Sequence, residues 1–202
     1  MPKIVVPFAG VEGKSRLNAS PVERHELSLA MLGDVLATCV AVAPTAVVTG
    51  DAGARALALV AGAEAVGDPG GGQGAAVQAA LARLEPGAVL VVNADLPCVE
   101  PDDLHALVAC APAVAVALVE APDGTTNALR LPSPGAFAPL YGRGSAARFR
   151  AHAAEQGLEV ISLPIPNLAD DVDSLEDLHR LAARCGPRTK ACLAELTVEV
   201  LP

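Results

Sequence analysis

The sequence predicts an α/β fold with a mostly parallel, mixed sheet and helices on both faces. Three observations predict it. Short runs rich in valine alternate with longer runs of helical periodicity along nearly the whole chain. The run Val89-Leu90-Val91-Val92 is apolar at every position, as in a central strand covered on both sides. Glycine-rich loops follow two early strands and lead into helices, the arrangement of βαβ units.

Residues 3–8 read as the first strand. Residues 27–40 carry helical periodicity, with Ser20-Pro21 supplying an N-cap and a first helical residue. A strand at 45–49 closes at Gly50-Asp51, and an alanine-rich helix follows at 52–61. Next come a short strand at 63–66, a helix at 73–84 opened by glycines, and the buried strand at 88–93. The helix at 101–109 has Asp102 and Asp103 in its first turn, which suits the positive end of the helix dipole. Strands at 113–120 and 127–131 flank the turn signal Asp123-Gly124 with no helix between them, and predict a hairpin insertion near 120–142. A helix at 145–156, a strand at 158–163 and a helix at 174–184 complete the pattern, the last opened by the capping box Ser174 to Asp177.

The 202 residues, 52% of them hydrophobic, can bury a sizeable core, and no linker divides them, so one domain over 1–202 is expected. With 2% aromatic residues, valine, leucine and alanine must fill that core. No apolar run reaches the roughly 18 residues of a membrane span, and Met1-Pro2-Lys3-Ile4 enters a strand without a secretory cleavage pattern. A cytoplasmic protein is therefore expected. The net charge of −9 and the lack of a basic stripe argue against a nucleic-acid partner and against anionic membranes. Five cysteines without CxxC spacing read as reduced thiols. Oligomeric state is open, and a homodimer is compatible with the sequence.

Asp95 follows the buried strand in Asn93-Ala94-Asp95-Leu96-Pro97, and Pro97 cannot continue the ladder. Its carboxylate therefore stands at the carboxyl end of a central strand, where open α/β sheets bind ligands. In Asp170-Asp171-Val172-Asp173, alternation puts Asp171 and Asp173 on one side of an extended segment, where the two charges repel unless a cation lies between them. With Asp95 they make three hard oxygen ligands suited to Mg2+. A capping role for Asp173 or Ser174 is the competing reading.

Two loops fit a polyphosphate. The first, residues 8–17, combines Gly10 and Gly13 with Lys14 and Arg16, two cations in a chain that has few. Gly13-Lys14-Ser15 looks like the end of a Walker A loop, but the earlier glycine is replaced by Phe8. The second, residues 67–74, places Gly72 and Gln73 at a helix start, where Gln73 can read a base edge. A further pair of segments, Gly124-Thr125-Thr126-Asn127 and Tyr141-Gly142-Arg143-Gly144-Ser145, supplies hydroxyls and glycine amides for a small anion, with Ser145 at a helix N-terminus. Four histidines show no metal spacing, and no Ser-His-Asp arrangement is legible.

In this order the motifs resemble those of the guanylyltransferases of deazaflavin coenzyme (F-420) biosynthesis, which act on 2-phospho-L-lactate or phosphoenolpyruvate. The resemblance runs from Val5 to about Leu193 and includes Gly13 to Leu17, Asn93 to Pro97, Gly124 to Leu129, Tyr141 to Ser145, Asp171 to Leu178 and Gly186 to Lys190. It implies a Rossmann-type fold like that of nucleotide-diphospho-sugar transferases and of molybdenum-cofactor guanylyltransferases. It implies GTP, Mg2+ and a small phosphorylated carboxylic acid, with Asp95, Asp171 and Asp173 as metal ligands and Thr126, Gly142 and Ser145 on the acid. Lys14, Arg16 and Asp95 would carry catalysis, and Gly10, Gly13, Lys14, Gly72 and Gln73 would hold the nucleotide. The chain departs from the family pattern at Phe8-Ala9, where a lysine is common, and at Gly72-Gln73-Gly74, where Gly-Leu-Asn is usual. Another nucleotidyltransferase of the same fold, or a catalytically silent nucleotide-binding protein, is the alternative.

Overall fold

The computed structural model describes residues 2–10, 20–110 and 112–198. Strands β1 (Lys3–Pro7), β2 (Thr45–Thr49), β3 (Glu64–Gly67), β4 (Val89–Val92), β5 (Val116–Glu120), β6 (Thr126–Leu131) and β7 (Val160–Ser162) form a seven-stranded sheet in the order β3-β2-β1-β4-β6-β5-β7. All pairings are parallel except those of β6, which runs antiparallel to both β4 and β5. The β5–β6 hairpin is therefore laid into the sheet, with β6 next to the central strand β4.

Alternation along the strands divides the core. Ile4, Val6, Leu90 and Val92 face one side with α1 (Pro21–Val42), α2 (Ala52–Ala61) and α4 (Pro101–Ala109). Val5, Val89 and Val91 face the other side with α3 (Gln73–Leu81) and α5 (Ser145–Glu155). Each buried valine or leucine contributes about 1.5–3 kcal/mol, so these two layers account for most of the driving force in a chain with few aromatics. A third cluster, Leu27, Met31, Cys98, Val172, Leu178 and Leu181 among its members, ties α1 to α7 (Leu175–Leu181) and to the loop after β4.

The caps read in the sequence are formed. Ser20 makes a capping box with Glu23 at the start of α1, and Ser174 makes one with Asp177 at the start of α7. The structure adds elements that sequence periodicity misses: a 3-10 turn at Pro134–Ala136, the short helix α6 (Pro166–Ala169) and α8 (Pro187–Val198). Helix α1 begins at Pro21 rather than residue 27, because the box at Ser20 fixes its start ahead of the apolar stripe. By length and composition α1 also meets the test for a membrane span, contrary to the expectation that no segment would. Half of its most apolar window (50%) is buried inside the fold, where it packs as a core helix.

Helix α8 has its cap on another element. The carboxylate of Asp34, on α1, accepts hydrogen bonds from the amides of Arg188 (3.0 Å) and Thr189 (2.8 Å). Gly186 lies so close to Asp34 that an added Cβ would meet its Cγ at 2.3 Å, so only glycine fits there.

Candidate active site

Strand order reverses between β1 and β4: the chain leaves β1 toward β2 and β3, then returns to β4 on the other side. A crevice opens outside the carboxyl ends at such a point. It is present as a cleft partly open to solvent, bordered by Pro7 to Gly10 after β1, Asn93 to Asp95 after β4, and Ser28, Met31, Asp68, Gln73 and Ala76.

The glycine-rich loop shapes one wall. Gly70, Gly71 and Gly72 all have positive φ (79°, 90° and 87°), a run that side chains would strain. Gly72, with ψ −178°, is the N-cap of α3 and lacks a side chain to satisfy the first-turn amides, so the helix start is available to an anion. Gly74 packs against Pro139, whose Cβ an added methyl would meet at 2.7 Å. Gly10 likewise has φ 74°. Gly13, Lys14 and Arg16, the rest of the expected nucleotide loop, lie outside the described residues.

At the far end of the cleft the structure brings Asp95, Asp171 and Asp173 together: each offers an oxygen, and the three lie within 4.8 Å of one another. All three residues are half-buried. The extended segment after α6 is drawn to the loop after β4 by a hydrogen bond from the Val172 amide to the Asp95 carbonyl (3.1 Å), and Val172 itself is buried. Because Val172 points inward, Asp171 and Asp173 point the other way together. The donor set is all-oxygen, anionic and convergent, and fits a hard divalent cation. On its outer side Asp171 and Asp173 border a second depression shared with Asp123, Asp170, Asp177 and Arg180.

The acids flanking the triad are committed elsewhere. Burial works to raise the pKa of Asp170, but Arg184 and Arg180 outweigh it and hold its carboxyl below the usual carboxylate value. Arg180 bonds Asp170 at 3.1 Å and Asp177 at 3.0 Å, and Arg184 bonds Asp170 at 2.6 Å.

Thr126, Gly142 and Ser145 are also brought together. The Ser145 hydroxyl donates to Thr126 Oγ1 (3.1 Å), and both residues are buried. The Ser145 amide donates to the Gly142 carbonyl (2.9 Å), since Gly144 in the left-handed region makes the turn ahead of α5. Arg148 donates to the carbonyls of Leu140, Tyr141 and Arg143 and pins that turn. Cys98 does not reach the cleft. It is buried in the third cluster, with its Sγ 3.9 Å from that of Cys185.

Sequence reasoning gave a role to Gln73 but none to the amides of Asn93 and Asn127, which join it to the other parts. Gln73 Nε2 donates to Asn93 Oδ1 (2.6 Å), Asn93 Nδ2 donates to the Thr126 carbonyl (3.3 Å) and to Asn127 Oδ1 (3.4 Å), and Asn127 Nδ2 donates to the Ala169 carbonyl (3.0 Å). For Asn93 and Asn127 the signal in the sequence was their place beside Asp95 and Thr126.

A switch-point cleft with a glycine-lined helix start and a carboxylate triad defines the class of nucleotide-diphospho-sugar-transferase-like folds. A solved structure described as a nucleotide-diphospho-sugar transferase, from Desulfovibrio desulfuricans G20, superposes with a TM-score of 0.74 at 18% identity, covering 98% of this chain and 95% of that one. Over residues 2–202 the sequence matches the family described as guanylyl transferase CofC like, and the chain belongs to that family. The phosphoenolpyruvate guanylyltransferase of Streptomyces coelicolor is 37% identical over 208 residues, covering 96% of this chain and 97% of the relative. That of Sphaerobacter thermophilus is 42% identical over 95 residues, 46% of each, so the chain spans about half the length of that relative.

Proposed function

We propose that the protein transfers GMP from GTP to the phosphate of a three-carbon phosphoacid, phosphoenolpyruvate by preference, releasing pyrophosphate in a step of coenzyme F-420 biosynthesis. The observation that carries this reading is the convergence of Asp95, Asp171 and Asp173 at the end of the switch-point cleft in a guanylyl transferase family member. The names of the relatives in Streptomyces coelicolor and Sphaerobacter thermophilus support the acceptor.

The nucleotide lies in the cleft with its phosphates toward the glycine loops. Gly10 and Gly72 allow close backbone approach, and the start of α3 offers amides to a phosphate oxygen. Gln73 lines the cleft and is placed to meet the base. Lys14 and Arg16 are assigned to the polyphosphate on their sequence position alone. Thr126, Gly142 and Ser145 take the phosphoacid, exchanging the Ser145–Thr126 hydroxyl bond for bonds to the acid. Asp95, Asp171 and Asp173 would hold Mg2+, which when bound neutralises phosphate charge and polarises the phosphorus centre.

An oxygen of the acceptor phosphate attacks the α-phosphorus of GTP, the bond to the bridging oxygen breaks, and pyrophosphate leaves with the electron pair. The attacking oxygen is already anionic near neutral pH, so no general base is required. The chain's own contribution is to align nucleophile and leaving group and to offset charge. The test is pyrophosphate release from GTP and Mg2+ with phosphoenolpyruvate, 2-phospho-L-lactate and 3-phosphoglycerate added separately. Release with phosphoenolpyruvate is expected. Silence with all three in folded protein that binds GTP would refute the reading.

A further inference from the structure

The polar chain from Gln73 to Ala169 has a direction that chemistry fixes. The carbonyls of Ala169 and Thr126 can only accept. Asn127 must therefore turn its Nδ2 to Ala169, which leaves its Oδ1 toward Asn93. Asn93 must turn its Nδ2 to Thr126 and Asn127, which leaves its Oδ1 to accept from Gln73. No amide in the row can be flipped without setting donor against donor or acceptor against acceptor.

Asn127 is the member closest to the carboxylates along the main chain that it grips. It is 1% exposed, on β6, and its partner Ala169 ends α6 two residues before Asp171. Among the described side-chain ties on this segment, those from Arg180 and Arg184 to Asp170 are partly exposed, at 49% and 43% for the two arginines, and surface pairs of this kind hold weakly, while the Asp173 amide donates to Asp177 Oδ2 at 3.3 Å. The Asn127 side chain is itself buried, and breaking its part-buried bond leaves the half-buried Ala169 carbonyl without that partner.

We infer that Asn127 is a positioning residue: its amide fixes the main chain at Ala169, so that Asp171 and Asp173 stand within ligand distance of one another and of Asp95. Through Asn93 and Gln73 the same row of bonds ties that placement to the glycine-rich loop. The inference rests on the proposed metal role of the triad. It does not depend on Asn127 touching nucleotide, acid or metal. Amides one step behind metal ligands commonly tune affinity in this way.

The test is Mn2+ binding, followed by the electron paramagnetic resonance of free Mn2+ in the absence of nucleotide. It compares wild type, Asp95→Asn, Asn127→Ala and the milder Asn127→Ser, each checked for folding by circular dichroism. Wild type is expected to bind, and Asp95→Asn to lose most binding. Both Asn127 variants are expected to bind about tenfold or more weakly. In turnover assays the Mg2+ concentration for half-maximal rate rises by a similar factor, and saturating Mg2+ restores much of the rate. A variant damaged only in folding would not recover in this way. Wild-type affinity in a folded Asn127→Ser overturns the positioning role. No binding by wild type, or unchanged binding in Asp95→Asn, overturns instead the metal reading on which it rests.

Discussion

Three carboxylates with oxygens within 4.8 Å of one another repel unless a cation lies between them. Changing Asp95 to Asn removes one charge at nearly constant volume. We expect Asp95→Asn to leave the melting temperature in EDTA equal to or above that of wild type while turnover falls about 100-fold or more. Thermal unfolding and pyrophosphate release on the same sample check both halves. These three residues were legible in the sequence for a physical reason: a buried strand ending at Pro97 locates Asp95, and period-two alternation around Val172 pairs the other two. Asn127 was not legible, since its role depends on a partner at Ala169, 42 positions away. Nor was the bond from the Ser145 amide to the Gly142 carbonyl legible, since it depends on Gly144 adopting the left-handed region.

Among elements, α7 holds one flank of the site. Its capping box does double service: Asp177 Oδ2 accepts from the amides of Ser174 (3.0 Å) and Asp173 (3.3 Å), while Ser174 Oγ accepts from the Asp177 amide (3.2 Å). Replacing Ser174 with Ala is expected to cost about 1 kcal/mol in urea unfolding and to raise the Mg2+ requirement, because the main chain of Asp173 loosens with the cap. An unchanged Mg2+ requirement at reduced stability would confine the cap to structure. Sequence located most strands and helices to within a few residues because each shows its period. The Asp123-Gly124 turn marked β6 as antiparallel to β5, but alternation does not say which other strand it joins, so its pairing with β4 was not legible. Sequence missed α8 because its cap is Asp34, which lies far back in the sequence.

The molecule as a whole closes through that cap. Asp34 receives two amides in a buried setting, and Asp34→Ala is expected to cost about 2 kcal/mol in urea unfolding. Because α8 packs on α1, the loss belongs to the junction of the two helices rather than to the sheet. Limited proteolysis of the variant should begin at α8, and cleavage starting in α2 or α3 would contradict this.

The inserted hairpin has a consequence for how the enzyme comes into being. Asp95 is separated from Asp173 by 78 positions (173 − 95), and β6, which carries Asn127 and lies beside β4, is synthesised before the pair Asp171 and Asp173. At about 5–20 residues per second, translation crosses that interval in roughly 4 to 16 s. Throughout it the nascent polypeptide displays its glycine loops and one acid but no assembled centre. The growing chain therefore gains its transferase site only after the last pair of carboxylates has emerged.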